Sequence, residues 1–165
     1  MRIRDATGAD IQAILGIYND VVANTTAIYD ERPSTYEERL AWFNSRRGAG
    51  LPVLVGEVDG EVVGFSSFGE WRSRWGYRFT VEHSVHVRAD CRGRGYGRVL
   101  IEALFPLAAA MGKHTMIAHI DSAAAASLRL HEKLGFNLVG TFREVGRLRK
   151  GWLSVVAMQR DIQSE

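Results

Sequence analysis

Cysteine is nearly missing from this chain. Cys91 stands alone among 165 residues, which excludes an internal disulfide and fits a reducing compartment. An excess of one charge is missing as well: 21 lysines and arginines face 19 aspartates and glutamates, for a net charge of +2. That is too little to argue for nucleic acid or an anionic membrane as partner. No apolar run approaches membrane-spanning length, and Met1-Arg2-Ile3-Arg4-Asp5 lacks the apolar core of a secretory leader. The expectation is a cytoplasmic protein. No internal repeat, low-complexity tract or linker interrupts residues 1–165, which are expected to form a single domain. There is no Gly-Lys-Ser/Thr triplet, so a Walker A nucleotide loop is excluded. No metal site is predicted.

What is present is a regular succession of elements. Residues 2–6 alternate charged and apolar side chains as a strand does. Thr7-Gly8-Ala9-Asp10 forms a capping box, and Ile11, Ile14, Leu15, Tyr18 and Val22 follow at helical spacing. Ser34-Thr35-Tyr36-Glu37 forms a second capping box, opening a helix with Tyr36, Leu40 and Phe43 on one side. Strands are expected over residues 51–58 and 61–71 about an Asp59-Gly60 hairpin turn, and over 80–87. A helix over residues 97–111 contains Pro106 and should kink there. A strand at 115–121, a helix at 123–134 stopped by Gly135, and an antiparallel pair at 136–146 and 152–160 complete the chain. This is a mixed α/β order.

Function is concentrated in residues 85–100. Val85 and Val87 end a strand; Arg92, Gly93, Arg94, Gly95, Tyr96, Gly97 and Arg98 form a turn; an apolar helical run then begins at Val99. Strand, glycine-rich turn and helix start together collect free backbone amides at the positive end of a helix dipole, a seat for a phosphate. A Rossmann fingerprint needs a third glycine two residues after the second, and Gly95-Tyr96-Gly97-Arg98 does not supply it.

The pattern Arg-x-x-Gly-x-Gly, from Arg92 to Gly97, resembles the pyrophosphate loop of the Gcn5-related N-acetyltransferases. Ser127-Leu128-Arg129-Leu130-His131-Glu132-Lys133-Leu134-Gly135-Phe136 is similar to a second segment of that superfamily. Asn24-Thr25-Thr26-Ala27, Ser84-Val85-His86-Val87 and Gly151-Trp152-Leu153 resemble the branch of phosphinothricin and methionine sulfoximine N-acetyltransferases, over essentially the whole chain. The resemblance implies a mostly antiparallel central sheet with flanking helices, the acyl-CoA N-acyltransferase fold. It also implies acetyl-CoA as cosubstrate, a small amino-acid-like acceptor acetylated on its α-amino group, and a homodimer. Two positions depart from the family pattern. Ala124 stands where an asparagine is common, and Ser154 where an aspartate often is.

Acetyl transfer to an amine needs a held cofactor, a base, an oxyanion donor and a proton for the departing thiolate. Cofactor contacts are expected from Val85, His86 and Val87, whose strand end would pair with the pantetheine amide, from the turn 92–98, and from Ala124 and Lys133. Glu82 is the expected base, in a strand whose apolar neighbours would bury it and raise its pKa. His83 competes for that task, although alternation sends it to the opposite face of the strand. His131 is expected to protonate the thiolate; a lone histidine on an apolar helix face is otherwise structural. Arg72 and Arg74, two apart with Ser73 between them, would share a face if extended and could grip a carboxylate bidentately, with Tyr29 walling the pocket. The plain alternative is a solvated basic loop. Rival functions are acetylation of a protein N-terminus or an aminoglycoside, a non-catalytic coenzyme A module, and single-strand nucleic-acid binding through Arg72, Arg74 and Arg78.

Overall fold

The computed structural model describes residues 1–162. Its elements are β1 (Arg2–Asp5), α1 (Ile11–Asn24), α2 (Tyr36–Gly48), β2 (Val53–Val58), β3 (Glu61–Glu70), β4 (Thr80–Val87), α3 (Tyr96–Glu102), α4 (Leu104–Ala110), β5 (Thr115–Asp121), α5 (Ala125–Lys133), β6 (Asn137–Leu148) and β7 (Gly151–Asp161). The order is the expected one. The expected helix over 97–111 is two helices that meet at Ala103. Pro106 is the cause: without an N–H it cannot bond the carbonyl of Glu102, so the ladder breaks one turn before the ring.

Both helical starts on the first face are capped. Thr7 and Asp10 form the expected box ahead of α1. The second box sits one residue later than the sequence pattern suggests: Thr35 caps the amide of Glu38 at 3.2 Å, and Glu38 returns a bond to the Thr35 amide at 2.9 Å. The shift turns Tyr36 outward, to 39% exposure, and leaves Phe43 as the buried residue of α2.

All seven strands join one sheet in the order β1-β2-β3-β4-β5-β7-β6. Every pairing is antiparallel except β4 with β5. Two cores form. Ile11, Ile14 and Ile17 of α1 and Phe43 of α2 pack on Val53, Val55 and Phe65. Ile101, Leu104, Ala108 and Leu134 pack on Phe68, Val81, Met116 and Met158. The sheet is therefore the middle of three layers, and β4 presents alternate residues to each.

Candidate active site

The parallel pair β4–β5 is joined at Thr80↔Thr115, Val81↔Met116 and Glu82↔Ile117, and no further. Beyond that point each strand continues, β4 held by β3 on its outer side and β5 by β7. Their facing edges are left with backbone N–H and C=O groups that no strand satisfies, over residues 84–87 and 118–121. Such a wedge accepts an extended amide-bearing chain as a further strand would be accepted. Two cavities occupy it, one of about 810 Å³ and one of about 400 Å³, and they share Ala27, Val85, His86, Ala124 and Ser127.

The larger cavity is bounded by Val87, the turn from Arg92 to Arg98 and the start of α5. Gly93 and Gly95 take φ values of +76° and +81°, conformations that side chains disfavour by about 1–2 kcal/mol. A Cβ at either would meet open space, so the turn presents bare backbone to the cavity. The first backbone bond of α3 runs from the Val99 amide to Gly95 at 3.3 Å, and the amides of Tyr96, Gly97 and Arg98 have no intrahelical partner. The arginines are mostly engaged. Arg92 pairs with Asp20 at 2.9 Å and donates to the Val87 carbonyl, Arg98 pairs with Glu102 at 2.9 Å, and Arg94 bonds the Asp90 carbonyl at 3.2 Å. Arg94 faces a separate crevice, and Lys133, at the exposed end of α5, lines neither cavity. Ala124 borders both cavities with no polar atom to offer. Its neighbour Asp121 takes polar duties instead, capping the Ala123 amide at 2.9 Å and accepting from Thr26.

The smaller cavity holds the titratable groups. Glu82 is not buried as expected: its side chain is 37% exposed, and Oε1 lies 2.9 Å from Nδ1 of His119. That bond raises the pKa of His119 above the ordinary imidazole value, against its partial burial. Tyr29 lines the same space, and burial pushes its phenol up to about 12, the carboxylates of Asp121 and Glu82 adding to the effect. His83 points to the other face of β4, as alternation requires, and is buried against α5 with His131. The bonding fixes the proton positions. Nδ1 of His131 lies 2.7 Å from the Ser127 carbonyl, which only accepts, so Nδ1 carries the hydrogen. Nε2 of His131 then accepts from Nε2–H of His83 at 3.1 Å, and Nδ1 of His83 is left buried and unpartnered. Burial keeps both rings neutral, lowering the pKa of His131 and taking His83 to about 3. His131 borders the cavity, but in this arrangement neither ring nitrogen offers a proton to it. The hydroxyl of Ser127, which lines both cavities, stands in front of it.

Residues 71–74 are a bent loop beyond the end of β3, not a strand, so the period-two pairing of Arg72 with Arg74 does not apply. Arg72 lies 4.7 Å over the ring of Trp71 and is close enough to His119 to oppose its charge. Ser73 and Arg74 are exposed, and none of the three lines either cavity. The sequence reasoning passed over His119 and Arg39. Both sit at positions that a pattern of apolar residues marks as unremarkable, an alternate place on β5 and the residue before Leu40. Only the pairing of β4 with β5, and of α1 with α2, brings them to the cavity.

Known proteins resemble this chain in sequence and in fold. The Acetyltransferase (GNAT) family matches residues 14–136. The chain is 48% identical, over 97% of its length and 94% of the relative's, to an L-methionine sulfoximine/L-methionine sulfone acetyltransferase of Pseudomonas paraeruginosa. Among solved structures it resembles a GNAT superfamily phosphinothricin acetyltransferase from Sinorhizobium meliloti in complex with acetyl-CoA (TM-score 0.94, 36% identity, 98% of this chain and 88% of that one). It also resembles a ribosomal-protein-alanine N-acetyltransferase from Brucella melitensis (TM-score 0.96, 42% identity, 98% and 99%). The mixed α/β sheet and the motifs on either side of its wedge are those of an acetyltransferase, and the chain belongs to the GNAT family.

Proposed function

We propose that this protein transfers the acetyl group of acetyl-CoA to the α-amino group of a small amino acid or analogue of the methionine sulfone, methionine sulfoximine or phosphinothricin type. The observation that carries the proposal is the continuity of the two cavities. An amide-lined seat for a diphosphate opens, past the free edge of Val85 to Val87, into a chamber of about 400 Å³ holding a carboxylate. That chamber suits an acceptor of amino-acid size, and the Pseudomonas and Sinorhizobium relatives act on such compounds by name. Acetyl-CoA supplies the activated acetyl thioester. The turn 92–98 holds its phosphates through backbone amides, and a backbone N–H of β4 near Val85 faces the carbonyl oxygen as that oxygen gains charge. Glu82 takes the proton of the attacking amine, directly or through a water, with His119 fixing the carboxylate. Ser127, which borders both cavities with His131 behind it, offers a hydroxyl to hydrogen-bond the departing thiolate. Arg72, whose charge is felt at His119, draws the acceptor's carboxylate to that side of the chamber.

Two further assignments follow the same reading. Acetyl-CoA is a cytoplasmic metabolite, which supports action in the cytoplasm by a single catalytic domain spanning the chain. Phe142, Val145 and Trp152 are more than half exposed on the outer hairpin β6–β7, an apolar surface that supports a homodimer. The likeness to the Brucella enzyme favours a second reading, in which the acceptor is the N-terminal alanine of a protein.

Free-thiol release separates these. With acetyl-CoA and a panel of methionine sulfone, methionine sulfoximine, phosphinothricin and an alanine-initiated peptide, the first three should be turned over and the peptide should not. Glu82→Gln should lower kcat/KM by about 10²–10⁴-fold near neutral pH. Turnover of the peptide alone would transfer the assignment to protein N-termini, and no thiol release with any amine would end it.

A further inference from the structure

Arg39 is the only guanidinium among the described residues lining the smaller cavity. Its carbon lies 4.0 Å from the centre of the Tyr18 ring and 4.9 Å from that of Trp42. Among the described residues it has no ion pair and no side-chain hydrogen bond, and its Nε is buried without a partner. Arg4, Arg32, Arg88 and Arg92 each have a carboxylate. An unmet charged donor in a partly desolvated place is unfavourable by itself. Two aromatic faces compensate in part and also fix the plane of the fork. What they leave open is the side of the guanidinium that meets the cavity.

The place of Arg39 along β4 limits what it can hold. Tyr18 packs edge-on against His86, at 6.4 Å between ring centres, so Arg39 sits at the His86 level of the strand. Glu82 is four residues earlier on the same face, about 13 Å away along the backbone. In the reaction proposed above the amine lies between Glu82 and the Val85 amide, about midway along that distance, and the carboxylate goes with it to the side of His119, where the charge of Arg72 is felt. The group that reaches the His86 level is the end of the side chain.

We propose that Arg39 binds the oxygen atoms at the far end of the acceptor's side chain, sulfonyl, sulfoximine or phosphinate, with the adjoining methyl group against Tyr18, Trp42 and Phe65. This rests on the acceptor class proposed above. Those tails share a tetrahedral centre with exposed acceptor oxygens and a methyl group, which a guanidinium set among aromatic rings matches on both counts. Arg39 is thereby the residue that separates an oxidised or phosphinyl side chain from the plain thioether of methionine, which offers it nothing.

Calorimetric titration of the protein saturated with coenzyme A, using L-methionine sulfone and L-methionine, tests this. The two ligands share an α-carboxylate and an α-amine and differ only in the tail oxygens. Wild-type protein should bind the sulfone at least about tenfold tighter than methionine, the ratio expected of hydrogen bonds to a charged group. Arg39→Met should abolish that ratio by weakening the sulfone alone, while methionine stays within about threefold. Arg39→Lys, which keeps the charge and loses the fork, should retain part of the preference, and it carries the test if the methionine variant fails to melt cooperatively. Equal loss of both ligands in Arg39→Met would place the carboxylate at Arg39 and overturn the proposal, as would an unchanged ratio or no preference in the wild type. Sulfone that binds through Arg39 but releases no thiol would refute the proposed reaction and leave this seat standing. Sulfone that is acetylated with Arg39-independent selectivity would do the reverse.

Discussion

Gly95 and Gly97 stand two residues apart in the same turn, yet replacing each by alanine should have opposite consequences. Gly95 caps α3 with φ at +81°, a region that costs an L-residue about 1–2 kcal/mol. A Cβ there meets nothing within 4 Å, so the whole penalty is backbone strain with no steric clash. The chain has two ways to answer. If it keeps the conformation, Gly95→Ala loses about 1–2 kcal/mol of stability, or roughly 2–8 °C in Tm for a domain of this size. If it relaxes, the amides of Tyr96, Gly97 and Arg98 turn from the cavity, and the affinity for acetyl-CoA falls by a factor of about 5–30, the equivalent of the same energy. Gly97 lies inside α3 with no such φ, and its Cβ would sit 3.7 Å from Leu130 and 3.8 Å from Val87, ordinary packing distances. Gly97→Ala should therefore gain about 0.5–1 kcal/mol of stability from helix propensity, the opposite sign to Gly95→Ala. Thermal melts and calorimetry with coenzyme A on the two variants decide the matter. Gly95→Ala indistinguishable from wild type in both Tm and Kd would show that main-chain amides at this turn are not the seat.

Two predictions concern pH. Asp10 accepts 2.8 Å bonds from both terminal nitrogens of Arg4 and is 6% exposed. The Arg4 guanidinium holds its carboxyl at about 2, down from 3.8. A depressed folded-state value gives stability that is present above the unfolded pKa and lost as pH falls through the folded one. Asp10→Asn should then cost about 2 kcal/mol at pH 6, and a gap in melting free energy between wild type and variant that does not narrow from pH 5 to pH 2 would contradict the assignment. For His119 the sign reverses, because Glu82 raises its pKa. The bond stabilises fully below the ordinary imidazole pKa and its contribution fades as pH rises through the folded value. With Glu82 more than a third exposed, the effect stays below about 1 kcal/mol. Denaturant melts of His119→Gln against wild type should differ more at pH 6 than at pH 9, and a difference that grows with pH would rule the pairing out.

Much of the architecture was legible because local signals agreed with the tertiary result. Alternation at 80–87 and 115–121 returned β4 and β5 to the residue, and the proline rule located the break between α3 and α4. The second capping box was misplaced by one residue because Ser34-x-x-Glu37 and Thr35-x-x-Glu38 satisfy the same pattern. The choice falls to Ser34 being held elsewhere, its amide and carbonyl both bonded to Asn19. Distances along the chain could not reveal the site's partnerships. Glu82 and His119 are 37 residues apart, and His83 and His131 are 48 apart. Only β4–β5 pairing and the return of α5 decide who meets whom. The spacing argument for Arg72 and Arg74 does not carry over, for a related reason. Its geometry presumed an extended strand, and β3 ends at Glu70.

The parallel pairing explains why both halves of the site lie together. Antiparallel neighbours can be joined by a short turn, but a parallel pair needs a crossover, here α3 and α4, and the first turn of that crossover is the glycine-rich one. The topology thus obliges the amide-rich helix start to open at the carboxyl end of β4, where the ladder with β5 has already parted. On one face of β4, Glu82, Ser84 and His86 line the smaller cavity together with Arg39 and Trp42 of α2, while His83 packs on the other face against α5. Unmet polar groups follow this division. Of three buried side-chain nitrogens without a partner among the described residues, two, Arg39 Nε and His83 Nδ1, belong to residues that border the smaller cavity. In a core that otherwise satisfies its polar atoms, two orphans around one chamber are the signature of a place shaped for something other than stability. Filling that chamber with apolar bulk at Ser84, which faces it from β4 between Glu82 and His86, should leave Tm within about 2 °C and abolish acceptor turnover while coenzyme A still binds. Ser84→Leu that still acetylates methionine sulfone at the wild-type rate would show that the acceptor sits elsewhere.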